Sequence, residues 1–184
     1  MVQLVPTSIS DLYVLERSVK GDSRGFLERL FCQKTLSEIL LDRTIRQINY
    51  TFTAATGTIR GLHYQFPPYA EMKIVSCIKG EVFDVAVDLR KDSPTFLQHY
   101  SKVLSPKNCL SLVIPEGFAH GFQTLTNDCE MIYVHTADYQ PTAEGALNAL
   151  DPRLAIKWPK RVSHRSDRDT RHAMTQDSFL GLEL

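Results

Sequence analysis

Apolar and polar residues alternate along most of the chain, and helical periodicity is scarce. The clearest case is the run in which Phe83, Val85, Val87 and Leu89 share one face while Asp84, Ala86, Asp88 and Arg90 share the other. Successive side chains on a strand point to opposite sides, so this run predicts a strand with one apolar face and one polar face. Similar strand-like runs cover residues 11–19, 45–53, 58–65, 72–78, 81–90, 96–104, 109–114, 117–125 and 129–139. Turn signals separate them, among them Lys20-Gly21-Asp22, Pro67-Pro68 and Lys79-Gly80. Only residues 33–42 (QKTLSEILLD) place Leu36, Ile39 and Leu40 at helical spacing. Many short strands at regular spacing predict an all-β sandwich or barrel. In a barrel wrapped by an outer layer, the second face of a strand lines a wet interior. Asp84 and Asp88 would then need histidine or cationic partners, because buried charges persist only when paired.

Neither an internal repeat nor a low-complexity stretch interrupts this rhythm. The length of 184 residues fits one domain spanning the chain, with the charge- and proline-rich part from about residue 141 wrapping the barrel. Charge balances at 21 Lys+Arg against 21 Asp+Glu, which argues against a protein that holds nucleic acid by bulk electrostatics. A local cluster of cations for a small anion remains open. The segment 160–172 carries five Lys/Arg against two Asp, and a mixed-sign run of this kind reads as a solvated face. The longest apolar candidate, 109–115, is far short of the roughly 20 residues a membrane helix needs. The opening MVQLVPTSIS lacks the basic-then-apolar pattern of a secretory signal. Four dispersed cysteines with no Cys-x-x-Cys pair read as reduced thiols of a cytoplasmic protein.

Two histidine segments stand out: Gly57-Thr-Ile-Arg-Gly-Leu-His63-Tyr-Gln65, followed by Glu71 and Gly80, and Pro115-Glu-Gly117-Phe-Ala-His120-Gly. Together they resemble the two motifs of the cupin superfamily, a double-stranded β-helix jelly roll whose histidines often gather around a metal. Here Gln65 stands where a second imidazole is expected, and amide oxygens suit such metals poorly. The expectation is a site with no metal and no cofactor. His99, His135, His164 and His172 read as structural or exposed. His63 and His120, set among Gly and Pro, read as groups for proton chemistry.

The ordered series Arg60-Gly-Leu-His63-Tyr-Gln65, Lys73, Asp84 to Arg90, Ile114-Pro-x-Gly-Phe-x-His120-Gly-Phe122 and Tyr133 closely resembles the dTDP-4-dehydrorhamnose 3,5-epimerase family. Asp22-Ser-Arg24-Gly25-Phe26, Gln47-Ile-Asn49 and Ser166-Asp-Arg-Asp169 extend the likeness over nearly the whole chain. The family inverts centres beside the ketone of a nucleotide-linked 4-keto-6-deoxyhexose. The resemblance implies that His63 is the base, held by Asp169, and that Lys73 steadies the enolate oxygen. It implies Tyr133 as the acid on the opposite face, and Asp84 paired with His120. It also implies substrate contacts at Arg24, Phe26, Gln47, Asn49, Arg60, Gln65, Tyr139, Glu144 and Arg168, with Arg24 and Arg60 on the diphosphate.

The chain departs from the family pattern in three places. Arg29 stands where many relatives carry a base-reading carboxylate, with Glu28 one position earlier and so on the other strand face. Glu71 stands where Gln is common, and Arg168 where Lys is common. A CDP sugar is therefore an alternative to a dTDP sugar, and inversion at C3 alone is an alternative to inversion at C3 and C5. A homodimer follows from the resemblance. The competing readings are a cupin 3,4-ketoisomerase and a non-catalytic sugar-binding cupin.

Overall fold

The computed structural model describes residues 2–184. Thirteen strands run in order: β1 (Val2–Pro6), β2 (Tyr13–Arg17), β3 (Val19–Asp22), β4 (Gly25–Glu28), β5 (Gln47–Thr53), β6 (Ile59–Gln65), β7 (Lys73–Lys79), β8 (Val82–Asp88), β9 (His99–Leu104), β10 (Leu110–Ile114), β11 (Phe118–Thr124), β12 (Cys129–His135) and β13 (Glu144–Ala146). Two short helices, α1 (Ser37–Leu40) and α2 (Asp167–Arg171), complete the regular structure together with two single 3₁₀ turns. A six-stranded sheet in the order β1-β2-β10-β7-β12-β5 faces a five-stranded sheet in the order β13-β6-β11-β8-β9, and β3-β4 forms a separate hairpin. Every named pairing is antiparallel. This is the cupin jelly roll, which limits free sheet edges by folding one sheet over another.

Three apolar layers hold the sheets. Between them lie Val75, Cys77, Ala86, Leu112, Phe118, Phe122 and Met131, which fill one half of the barrel interior. Outside the five-stranded sheet, Val85, Val87 and Leu89 of the β8 segment pack with Leu147, Leu154, Trp158 and Leu182 from the C-terminal part. Outside the six-stranded sheet, Leu36 and Leu40 close over Leu15, Ile74, Val113 and Val134. β8 is therefore covered on both faces. Its buried Asp84 points inward, whereas Asp88 turns to Arg90, Ser93 and Thr95 at the strand end.

The helical segment is shorter than its periodicity predicts. Only Ser37–Leu40 is α-helical, because residues 33–36 form turns, no side chain caps the start and Leu41 leaves with φ 53°. The run 129–139 stops as a strand at His135 and continues as a loop. β5 is turned inside out relative to an ordinary barrel strand. Polar Gln47, Asn49 and Thr51 face the interior cavity, while Ile48, Tyr50 and Phe52 are exposed on the outside.

Candidate active site

The half of the barrel interior not filled by apolar side chains is a cavity of about 310 Å³. Strand register explains who reaches it. Gln47 lies opposite His135 and Asn49 opposite Tyr133, while His135 lies opposite Lys73 on the next strand. Side chains at a period of two therefore present Gln47, Asn49, Tyr133, His135 and Lys73 to one cavity wall. His120 faces His63 across the pairing of β11 with β6 on the other wall.

Arg60 and His63 are three residues apart, and a regular strand would send them to opposite faces. A register shift between β6 and β11 inserts the missing offset, so both line the cavity. Gly61 sits at this bulge with φ 116°, and a Cβ there would lie 2.6 Å from Gly121 Cα and 2.7 Å from the His120 carbonyl oxygen. The Gly that follows Arg60 and the Gly that follows His120 thus let two backbones touch behind the two histidines.

Three histidine–carboxylate pairs border the cavity. At its rim, His63 Nε2 donates to Asp169 Oδ1 at 2.7 Å, and the Gly61 amide donates to Asp169 Oδ2 at 3.3 Å. A carboxylate only accepts, so the proton sits on Nε2 and Nδ1 keeps its lone pair. Asp169 is brought there by α2, whose cap Ser166 accepts a hydrogen bond from the Asp169 amide at 3.1 Å. Burial alone would raise the Asp169 carboxyl, but the bonds from His63, Gly61 and Ser166 hold it down at about 2.

Deeper in the barrel, His120 Nε2 lies 3.0 and 2.9 Å from the two oxygens of Asp84. Asp84 is wholly buried, and burial pushes its carboxyl above the usual range despite His120 and Lys73. The His120 ring meets Tyr133 edge-on, with centroids 5.9 Å apart. Burial, with the negative Asp84 nearby, pushes the Tyr133 phenol well above its ordinary value, so its proton is retained at neutral pH.

The third pair joins His135 Nδ1 to Glu71 Oε2 at 2.8 Å, while the other Glu71 oxygen takes the Lys73 ammonium at 2.9 Å. Burial opposes ionisation of Glu71, but these two partners hold it at about 2. The sequence reading set His135 aside as structural and placed Glu71 in the first cupin-like motif and as a departure from the family pattern, without joining the two. The available signal was the spacing: His135 is two residues from Tyr133 and so on the same strand face.

Of the residues expected at the site, His63, Lys73, His120, Tyr133, Gln47, Asn49, Arg60, Gln65, Tyr139, Glu144 and Arg168 line the cavity. Asp84 and Asp169 stand behind their histidines. The Gln65 amide is spent on the backbone, donating to Tyr69 and Asp138 and accepting from Gln140, so it shapes the wall rather than offering a free group. Arg168 forms a two-pronged bond to Glu144, which also accepts from the Tyr139 hydroxyl. Arg60 has no carboxylate within salt-bridge distance among the described residues; its guanidinium rests on the Phe52 carbonyl and Thr53. A second hollow of about 590 Å³ shares Arg60, His63 and Arg168 with the cavity.

Arg24, Phe26, Glu28 and Arg29 are not brought to this cavity within one chain. They belong to the separate β3–β4 hairpin and the residue after it, none of which lines the cavity. Arg24 bonds its neighbour Asp22, Phe26 is 71% exposed, and Arg29 is exposed. Glu28 turns instead to the buried Arg17 at 2.8 Å, anchoring the hairpin to the six-stranded sheet. As for metals, His63, Asp169 and His172 place ligand atoms within 4.8 Å of one another. The Arg168 guanidinium lies 3.3 Å from the same His63 nitrogen, a cation where a metal would have to sit.

Residues 6–177 match the family model described as dTDP-4-dehydrorhamnose 3,5-epimerase. A relative of that name from Shigella flexneri is 41% identical over 169 residues, 91% of this chain and 93% of its own. The solved epimerase of Legionella pneumophila, in complex with dTDP-4-keto-L-rhamnose, superposes with a TM-score of 0.91 at 36% identity and covers 100% of both chains. A 3'-monoepimerase of Streptomyces bikiniensis in complex with dTDP-quinovose superposes with a TM-score of 0.85 at 28% identity, over 92% of this chain and 86% of its own.

Proposed function

The chain belongs to the dTDP-4-dehydrorhamnose 3,5-epimerase family, and on that footing we propose that its cavity inverts C3 and C5 of a dTDP-linked 4-keto-6-deoxyhexose through an enolate. It is an isomerase of nucleotide-linked 4-keto-6-deoxy sugars. The observation that carries the route is the placement of His63 and Tyr133 on opposing sheets, with Lys73 in the cavity between them.

A hydrogen beside a ketone is weakly acidic, so removing it requires a base together with stabilisation of the charge that develops on the C4 oxygen. His63, its proton fixed on Nε2 by Asp169, uses the Nδ1 lone pair to take the proton from the ring carbon. The electron pair moves into the C3–C4 or C4–C5 bond and onto the C4 oxygen, where the buried Lys73 ammonium meets it. Tyr133 then delivers its phenolic proton to the same carbon from the other face, which inverts the centre. A phenol held above its ordinary value does not ionise beforehand, and the basic enolate carbon is still able to draw its proton. His120, buried on Asp84 and edge-on to Tyr133, holds the acid in place. Both centres adjoin C4, so one set of groups serves both after the ring turns.

Arg60, free of a carboxylate partner, suits a diphosphate whose nucleoside extends along Gln47 and Asn49. The Legionella and Streptomyces relatives hold dTDP sugars, which supports thymidine over cytidine here. The exposed β3–β4 hairpin gives the second copy of a homodimer its part: Arg24 and Phe26, idle in one chain, reach the neighbour's substrate. The four cysteines are free, in keeping with work in the cytoplasm.

The test is deuterium incorporation from deuterated water into dTDP- and CDP-linked 4-keto-6-deoxyglucose. Label at both C3 and C5 of the dTDP sugar, with inversion, is the expected result. Label at C3 alone restricts the enzyme to one centre, faster turnover of the CDP sugar changes the nucleotide, and no label with either nucleotide refutes epimerase chemistry.

A further inference from the structure

The Glu71–His135 pair is absorbed by none of the roles above, although it lies in the cavity wall between the reacting centre and the nucleotide end. Glu71 spends one oxygen on each of two partners: Oε1 on Lys73 Nζ at 2.9 Å and Oε2 on His135 Nδ1 at 2.8 Å. All three side chains are more than nine-tenths buried. Because the carboxylate is engaged at both ends, it cannot swing, and the ammonium it holds cannot either. The tautomer follows from the same bond: with the proton on Nδ1, His135 Nε2 accepts from Asn49 Nδ2 at 3.4 Å. The flat face of His135 stacks on Tyr133, with centroids 6.1 Å apart and planes 18° apart.

We propose that Glu71 and His135 form a positioning clamp that fixes Lys73 against the enolate oxygen and, through the far side of the imidazole, orients Asn49 toward the nucleoside. The inference rests on the epimerase reading given above. In this chain Glu71 is the counter-ion of the buried ammonium, and His135 keeps that counter-ion aimed. The carboxylates that share the cavity or stand behind its wall are Glu71, Glu144 on β13 and, behind His120 and His63, Asp84 on β8 and Asp169 on α2. Of these, only Glu71 bonds Lys73 directly; Glu144 is engaged by Arg168, Asp169 by His63, and Asp84 at both oxygens by His120. A neutral amide at position 71 would leave the buried ammonium without its charged anchor.

Three near-isosteric variants separate the two ends of the clamp. Glu71→Gln is expected to lower kcat about tenfold while KM for the nucleotide sugar stays within about threefold. His135→Asn keeps a donor where Nδ1 stood and removes the Nε2 acceptor, so kcat should stay within about threefold while KM for the nucleotide sugar rises about tenfold. His135→Gln places its amide where Nε2 stood and leaves Glu71 Oε2 unmet, so kcat should fall while KM holds. These are steady-state measurements with a dTDP-linked 4-keto-6-deoxyhexose, each variant checked for the wild-type melting transition. A wild-type kcat in Glu71→Gln, or the same kcat and KM in both His135 variants, overturns the clamp. Wild-type protein that fails to exchange deuterium overturns the epimerase reading instead, so the two failures are distinct.

Discussion

The rim pair His63–Asp169 and the deep pair His120–Asp84 have the same chemical parts and opposite surroundings. Asp169 arrives on a short capped helix and accepts bonds from an imidazole and a backbone amide, with its histidine about one-third exposed to the cavity. Asp84 is embedded in a central strand, meets only His120 with its oxygens, and has no exposed surface. Extra donors stabilise the ionised form of the first, and burial disfavours the ionised form of the second. On the proposed route the first arrangement serves as an oriented base that can reach substrate, and the second as a packed support for Tyr133. The chemistry of a histidine–carboxylate pair is thus decided by what else the carboxylate accepts.

The sharpest way to break this contrast is to remove each imidazole. His63→Ala should cut deuterium exchange at C3 and C5 by roughly a thousandfold, within the range for loss of a positioned general base. His120→Ala should cut turnover by only about tenfold, because it loosens Tyr133 without removing a reacting group. Parallel exchange rates at fixed substrate settle the order. Equal losses in the two variants would place both histidines in proton transfer and erase the distinction.

Replacing the carboxylates tests the same difference in stability. Asp169→Asn should lower exchange by roughly a hundredfold, since an amide no longer holds the Nε2–H tautomer. It should also destabilise the fold by about 2 kcal/mol at pH 7, the value of a carboxyl held near 2 rather than 3.8. Asp84→Asn removes a buried charge whose folded environment disfavours it, so its melting temperature should match or exceed that of wild type. Calorimetry of the two variants checks the opposite signs.

Much of this site was legible in the residues, and what was not has a physical reason. Alternation located every strand that lines the cavity except the short β13, because a period of two survives whatever the fold does with the ends. His63 and His120 were readable because each sits among Gly and Pro, whereas Lys73 and Tyr133, set in apolar runs, were legible only through the family resemblance. The joint inward aim of Arg60 and His63 was not, since it depends on a bulge at Gly61 that simple alternation denies. Nor was the Glu71–His135 pair, whose members are 64 residues apart and meet only through the pairing of β7 with β12. The hairpin carrying Arg24 and Phe26 shows the converse. Its local motif is plain, but within one chain its side chains stay exposed, and the role proposed for them needs a second copy.

The finest test of the contrast is the acid limb of stability. The Asp169 carboxyl has a folded value of about 2 against an ordinary 3.8, so its contribution is complete above about pH 4 and is lost as pH falls toward 2. Glu71, held at about 2 against 4.5, acts in the same direction. Asp84 acts in the opposite one: its folded value is raised, so the native state binds the proton more tightly than the unfolded chain, and stability is lost as pH rises above 3.8. Urea unfolding between pH 2.5 and 6 should therefore show the wild-type advantage over Asp169→Asn growing with pH and then levelling. The difference between wild type and Asp84→Asn should move the other way over the same interval. Two parallel curves would mean that surroundings do not separate the pairs, and that the deep carboxylate is held ionised as firmly as the one at the rim.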